Sequence, residues 1–296
     1  MGKRNSFIDA SIDLSARAII GAALALPYRK RVNLVGALSA NVLAPLAGFN
    51  KRIRDNLAYT CPNLPESEIK RIVKEVSRNV GRNLIETYSG NDFKTHAKTF
   101  DVTGPGLTTL EAAKAAGKPV VFISGHIGSY DAPRAALIAQ GYRIGVIYKP
   151  MSNPRFNEHY VNALSTIGDP TFSRSRKGLG EMMRFLKTGG MVGILNDQHL
   201  NGGVDLTFFG KTARTPTSAA EMSLRYDAPL LPIFGLRKSN GIDFEMQIQK
   251  PIVPSDPTQM TQEFNDRLEA LVRENMDQWF WIHRRWNAMK PRYNKD

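Results

Sequence analysis

The run Val120-Val121-Phe122-Ile123 constrains the fold more than any other stretch of this chain. It is apolar at every position and set off by Gly117-Lys118-Pro119, so it reads as a short buried strand. From Phe100 onward strand and helix signals alternate around it. Asp101-Val102-Thr103 is a strand end, and Leu107 to Ala116 and Ala132 to Gln140 are helices. Arg143 to Tyr148 is a strand, Arg155 to Thr166 and Leu179 to Lys187 are helical, and Met191 to Leu195 is a second core strand. Thr217 to Tyr226 is a helix, and Leu230 to Phe234 and Phe244 to Ile248 are strands. The Pro-rich Pro251 to Pro257 ends the sheet, and Thr261 to Trp281 forms a last helix. The alternation predicts an α/β fold with a mixed, largely parallel central sheet flanked by helices.

Open α/β sheets place their chemistry at the carboxyl ends of their strands. The buried strand delivers Ser124-Gly125-His126-Ile127-Gly128-Ser129-Tyr130-Asp131 to that edge. A helix starting near Asp131 would bring its carboxylate to the imidazole of His126. A carboxylate so placed fixes the tautomer and raises the basicity, as a base acting on an alcohol requires. The plain alternative is a satisfied structural histidine. Two further strand ends converge on the same edge, Tyr148-Lys149-Pro150 and Asn196-Asp197-Gln198-His199. With Lys149, Asn196, Asp197 and Gln198 beside His126, the edge has the groups to bind an anionic ligand and activate a hydroxyl. Lys211 to Thr217 reads as a cationic loop before a helix, with Thr215 as N-cap and Arg214 beside it. It is either a phosphate site or a solvated basic loop. Ser124 and Ser129 lie near His126, but there is no G-x-S-x-G elbow. The five histidines show no metal-ligand spacing such as H-E-x-x-H.

At 296 residues the chain is long enough for a sizeable core, and its net charge of +13 favours an anionic partner. A single cysteine, Cys61, excludes an internal disulfide framework. Residues 1–60 hold nine Lys or Arg against three Asp, a net of +6. The apolar runs Ala18 to Leu26 and Val32 to Phe49 lie between basic clusters, and neither precedes a small-residue cleavage site. Residues 6–50 therefore read as a membrane-associating helical hairpin or one marginal span, against a pair of core-packing helices. The domain division is 1–52, N-terminal membrane-associating helices, and 53–296, the α/β domain. Pro65, Glu66 and the apolar spacing from Ile69 to Leu84 give a long amphipathic helix ending near Tyr88.

The order of short motifs resembles the bacterial lipid A biosynthesis (lauroyl and myristoyl) acyltransferases, within the H-x-x-x-x-D/E glycerolipid acyltransferases. The matching pieces are Asn56-Leu57 with the Pro62 loop, Glu86, Gly125-His126-Ile127-Gly128, Tyr148-Lys149-Pro150 with Asn153-Pro154, and Gly193-Ile194-Leu195-Asn196-Asp197-Gln198. Phe208-Phe209-Gly210 with Thr215, Pro232, and Trp281-Ile282-His283-Arg284-Arg285-Trp286 complete the set. The chain departs in having Ser129-Tyr130-Asp131 for the usual Asn-Trp-Glu, Lys149 for an arginine, and no arginine near Ala163.

The resemblance implies a glycerolipid acyltransferase-like fold and an O-acyltransferase. In it His126, oriented by Asp131, deprotonates a lipid hydroxyl that attacks a thioester. Lys149, backbone N–H groups of Gly125 to Ser129, or Arg214 would receive the oxyanion. It also implies an acyl-acyl carrier protein or acyl-CoA donor, docked by Arg174, Arg176 and Lys177 or by Arg284 and Arg285. The acceptor would be a lipid A precursor at the cytoplasmic face of the inner membrane, with no cofactor, metal or nucleic acid. The rival readings are acylation of a lysophospholipid, glycolipid or other hydroxylated lipid, a non-catalytic basic protein binding membrane or nucleic acid, and a serine or metal hydrolase. No nucleic-acid-binding motif is present.

Overall fold

The computed structural model of the chain describes residues 6–286. Lys3 and Arg4 of the basic N-terminus lie outside the described residues. The chain begins with helices α1 (Ser6–Leu24) and α2 (Tyr28–Leu38), a π-helical turn (Ser39–Leu43), α3 (Ala44–Leu46) and α4 (Phe49–Thr60). The long helix α5 (Glu66–Tyr88) follows, entered from Pro65 with Glu66 and Glu68 in its first turn, where the helix dipole favours acids. A short α6 (Gly90–Ala97), absent from the sequence reading, follows it.

The α/β body then runs β1 (Val102–Thr103), α7 (Leu107–Ala115), β2 (Val120–Ser124), α8 (Ala132–Ala139) and β3 (Ile144–Tyr148). It continues with α9 (Pro154–Ile167), β4 (Thr171–Ser173), α10 (Arg176–Lys187) and β5 (Met191–Leu195). A hairpin of β6 (Val204–Phe208) and β7 (Lys211–Thr215) precedes α11 (Ser218–Arg225), β8 (Leu230–Arg237), β9 (Phe244–Ile248) and α12 (Pro257–Glu274). Side-chain caps fix several starts. Asn153 accepts from the N–H groups of Arg155 and Phe156 ahead of α9, and Asp256 does the same ahead of α12.

The main sheet has the order β1-β9-β8-β2-β5-β3-β4, with β2, β3, β4, β5 and β8 parallel and β8–β9 antiparallel. The mixed, largely parallel sheet flanked by helices is therefore as expected. All of β2 is buried because its two faces enter different cores: Val121 and Ile123 one, Val120 and Phe122 the other. The register Ser124↔Leu195 puts the ends of β2 and β5 side by side, and β3 is the next strand out. Three neighbouring strand ends thus open on one edge.

Three expectations are corrected. The last helix stops at Glu274, and residues 275–286 are irregular because their backbone pairs elsewhere. Phe280 N–H donates to the His126 carbonyl, and the Gln278 carbonyl accepts from Gly128 N–H. Lys211 to Thr215 is a strand, not a loop, because Phe209 and Gly210, both at positive φ, turn the chain back on β6. Thr215 accordingly caps nothing, and α11 starts from Thr217.

The N-terminal helices both pack on α5 and expose apolar side chains. Ile20, Ala23 and Val32 pack with Ile85 and Tyr88 of α5. Of the ten strongly exposed large apolar side chains among the described residues, seven lie between Leu14 and Leu46. No single described helix is long and apolar enough to cross a membrane. Tyr28–Leu46 and Phe49–Thr60 pass that test only together, by length and composition, across an 82° bend. The boundary expected after residue 52 falls within α4.

Candidate active site

The site begins where β2 runs out. Gly128 sits at φ +57°, and a Cβ there would lie 2.0 Å from the Gly235 carbonyl oxygen, so the turn closes only around glycine. The N–H groups of residues 126–129 in this turn are engaged. His126 N–H donates to Asp197 Oδ2 at 2.7 Å and Ile127 N–H to the Gly125 carbonyl at 2.9 Å. Gly128 N–H reaches the Gln278 carbonyl at 3.0 Å, and Ser129 N–H the Gly235 carbonyl at 2.9 Å. Donors pointed at protein acceptors are not available to an oxyanion, so the expectation that residues 126–129 of this turn supply one is corrected.

His126 Nδ1 lies 2.6 Å from Asp197 Oδ1. Asp197, the second residue past β5, stands level with His126, the second past β2, because of the Ser124↔Leu195 register. Its Oδ2 also accepts from Trp279 Nε1 at 2.8 Å. Burial alone would raise the Asp197 carboxyl. The His126 charge and hydrogen bonds, with His283 nearby, outweigh it and hold the group well below the usual carboxylate range. An ionised Asp197 fixes the proton of neutral His126 on Nδ1 and leaves Nε2 as an acceptor.

The partner of His126 is therefore not Asp131. Asp131 stands at the N-cap of α8, where Arg134, one turn on, donates to Oδ1 at 3.3 Å and Thr87 of α5 to Oδ2 at 3.3 Å. These partners draw the carboxylate away while Asp197 occupies Nδ1. Burial raises the Asp131 carboxyl, opposed by Arg134, the Thr87 hydrogen bond and His126. Arg134 is also bound to the carbonyls of Leu164 and Gly168 and so ties α8 to the end of α9.

A cavity of about 330 Å³ opens beside His126. Its walls are mostly apolar, with Phe122, Leu137, Ile144, Val146, Leu164 and Ile194 among them. Its polar lining is His126, Asp131, Gln198, Tyr130 and Tyr160, with Lys149 and Arg174. Burial raises the phenols of Tyr130 and Tyr160, so both are neutral hydroxyls. The arrangement is an imidazole in the wall of a largely apolar slot, which suits a polar head group on a hydrocarbon chain.

Of the residues expected at the site, His126, Asp131, Asp197, Gln198 and Lys149 come together. Asn196, Arg214 and Thr215 do not line the cavity. Asn196 is buried and donates to the Pro216 carbonyl, holding β5 to the link before α11. Arg214 pairs with Asp205 across the hairpin, and Thr215 accepts from Arg285 Nη2 at 2.7 Å. Arg285 is fully buried, so it has no surface with which to dock a partner. The sequence reading gave no role to His283, whose Nε2 lies 2.5 Å from Gln198 Nε2. Its only signal was its place in the Trp281 to Trp286 motif.

Residues 10–288 match the family described as bacterial lipid A biosynthesis acyltransferase. A lipid A biosynthesis acyltransferase of Haemophilus influenzae is 24% identical over 262 residues, 87% of this chain and 81% of that protein. The lipid A biosynthesis lauroyltransferase of Escherichia coli K12 is 24% identical over 272 residues, 89% and 87% of the two chains. A phosphatidylinositol mannoside acyltransferase of Mycobacterium tuberculosis is 22% identical over 196 residues, 65% of this chain and 62% of its own. Among solved structures, the 1-acyl-sn-glycerophosphate acyltransferase PlsC from Thermotoga maritima aligns with 85% of this chain and 99% of its own. The identity there is 14% and the TM-score 0.37. A match that begins in α1, ends at the Trp286 motif and takes in the whole of the His126 site leaves one assignment: the chain belongs to the bacterial lipid A biosynthesis acyltransferase family.

Proposed function

We propose that this acyltransferase moves a fatty acyl chain from acyl-acyl carrier protein to a hydroxyl of a lipid A precursor, with His126 as general base. The observation that carries the reading is His126 itself. Its Nδ1 is held by Asp197, and the residue lines a cavity whose walls are mostly apolar. The acceptor oxygen bonds to the thioester carbonyl carbon as its proton passes to Nε2. The tetrahedral intermediate then collapses, the C–S bond breaks, and the thiolate takes the proton back from the imidazolium. Asp197 orients the ring. Asp131 favours the imidazolium through charge, without a hydrogen bond. The acyl chain lies in the apolar part of the cavity, and Lys149 and Arg174 face the phosphate-bearing end of the donor or acceptor.

The net charge of +13 supports an acidic carrier protein as donor, though acyl-CoA carries the same thioester and phosphates. The exposed apolar face between Leu14 and Leu46, flanked by Arg29, Lys30 and Lys51, supports binding to the cytoplasmic face of the inner membrane. A glycolipid other than lipid A is the second reading of the acceptor, because one relative is named a phosphatidylinositol mannoside acyltransferase.

Mass spectrometry of total lipids from cells with and without the protein tests the reading. A lipid A species lighter by one acyl chain in its absence is the expected result, and an unchanged lipid A with another lipid deacylated favours the second acceptor. In vitro, His126→Ala is expected to abolish transfer, and retained transfer would refute the general-base assignment.

A further inference from the structure

The lone pair on which this chemistry depends is occupied in the free protein. With its Nδ1 proton on Asp197, His126 offers Nε2 as an acceptor, and the group facing it is Gln198 Nε2 at 3.1 Å. The same amide nitrogen lies 2.5 Å from His283 Nε2. An amide nitrogen has two N–H groups, and two ring nitrogens take one each. His283 is a neutral acceptor because, above all, burial pushes it down to about 4. Its backbone is anchored as well: the buried Asn56 donates to the carbonyls of Trp281 at 2.6 Å and His283 at 2.8 Å.

We propose that Gln198 is the oxyanion donor of acyl transfer and His283 the positioning residue that aims it. One N–H stays on His283, and the other passes from His126 Nε2 to the thioester carbonyl oxygen when substrate enters. The proposal rests on the reading of His126 as base. The N–H groups of residues 126–129 are committed to protein acceptors and do not supply the donor. The Nη groups of Arg134 are committed to Asp131, Leu164 and Gly168. Gln198 both touches His126 and lines the cavity. Its target is the carbonyl oxygen, since a hydrogen bond donated to the attacking hydroxyl would withdraw the electron pair that forms the new bond. As that bond forms, the hydroxyl proton goes to His126 Nε2 and the carbonyl π pair moves onto the oxygen that Gln198 receives. Collapse returns the pair, breaks the C–S bond, and protonates the thiolate from His126. Without substrate, the same amide keeps the base capped.

The test uses the full chain with one acyl chain presented as its carrier-protein and CoA thioesters, with and without lipid acceptor, so that hydrolysis by water reports the same oxyanion. Gln198→Met, which keeps the length and removes both donors, is expected to lower kcat by about 10²–10³-fold with KM little changed. His283→Leu is expected to lower kcat roughly 10- to 100-fold through misplacement of Gln198. His283→Asn, whose side-chain oxygen can accept from Gln198, should recover most of it. The double variant Gln198→Met/His283→Leu should be no slower than Gln198→Met alone. ¹⁵N NMR of the histidine rings gives a readout independent of turnover, since the His126 Nε2 resonance should shift in Gln198→Met. Gln198→Glu, also without N–H groups, replaces Gln198→Met if the latter does not fold. Full kcat in both Gln198 variants, or multiplicative losses in the double variant, overturns the proposal. If His126→Ala is then inactive, the general-base reading stands without the relay. If His126→Ala is active too, both fall.

Discussion

At Asp197, Oδ1 faces His126 Nδ1, while Oδ2 takes the His126 backbone N–H and the Trp279 indole. An asparagine offers one acceptor for these three donors and sets an N–H₂ against at least one of them. The ring then loses the tautomer that leaves Nε2 free. Asp197→Asn is expected to lower kcat by on the order of 10³–10⁴, the scale seen when the carboxylate behind a catalytic histidine is neutralised. Asp131→Asn should cost far less, since Asp131 bonds to Thr87 and Arg134 rather than to the ring. Steady-state kinetics on the two variants decides between them, and the reverse ranking would return the orienting role to Asp131. Both carboxylates were legible in the sequence as residues at strand ends. Their division of labour was not, because it depends on the register of β2 against β5, and a one-step slip would turn Asp197 to the other face. The distance along the chain from His126 to Asp131 says nothing of a neighbour contributed by another strand.

The segment after α12 shows the same limit for a whole element. The sequence suggested a helix running on to Trp281, and nothing in the apolar pattern there marks its end at Glu274. Trp279, Trp281 and Trp286 are each nearly fully enclosed, and their indole N–H groups go to Asp197, Met276 and Phe208. The segment therefore supplies part of the core and also the wall behind the base, and His283 couples it to the site. Burial holds His283 at about 4 in the folded chain, against an ordinary 6.5. Between those values the unfolded chain binds a proton that the folded chain refuses, so stability rises with pH across that window and falls as pH drops through it. At about 1.4 kcal/mol per pH unit the full effect is about 3 kcal/mol. Denaturant unfolding at a series of pH values should show this loss in the wild type and a flatter profile in His283→Asn. The raised Asp131 carboxyl acts in the opposite sense, but it is common to both proteins and drops out of the difference. Parallel profiles would mean that His283 is protonated near its ordinary value in the folded state.

At the scale of the molecule, the reactive edge of the sheet and the apolar face of the N-terminal helices belong to one body, joined through α5. Asn83 of α5 donates to the Gly128 carbonyl in the His126 turn at 2.8 Å, and Glu86 holds the buried Arg237 of β8 with both carboxylate oxygens. On the same helix Ile85 and Tyr88 carry the packing of α1 and α2. A membrane seated on the N-terminal helices would thereby be fixed in orientation relative to His126, as the proposed lipid acceptor requires. These helices expose Leu14 at 71%, Leu34 at 54% and Leu46 at 83%, and Arg29, Lys30 and Lys51 are exposed as well. Each leucine that enters the headgroup boundary contributes about 1 kcal/mol, and each basic residue about as much on anionic lipid. Leu34→Ser/Leu38→Ser/Leu46→Ser should therefore weaken binding to vesicles containing anionic phospholipid by roughly a hundredfold, read by co-sedimentation. Added salt should weaken binding further by screening the basic rim, and should have little effect on neutral vesicles. The three side chains are exposed in the protein, so the variant should unfold at the wild-type denaturant concentration. Undiminished vesicle binding by a folded variant would assign membrane attachment to another surface and leave the apolar face to a protein partner.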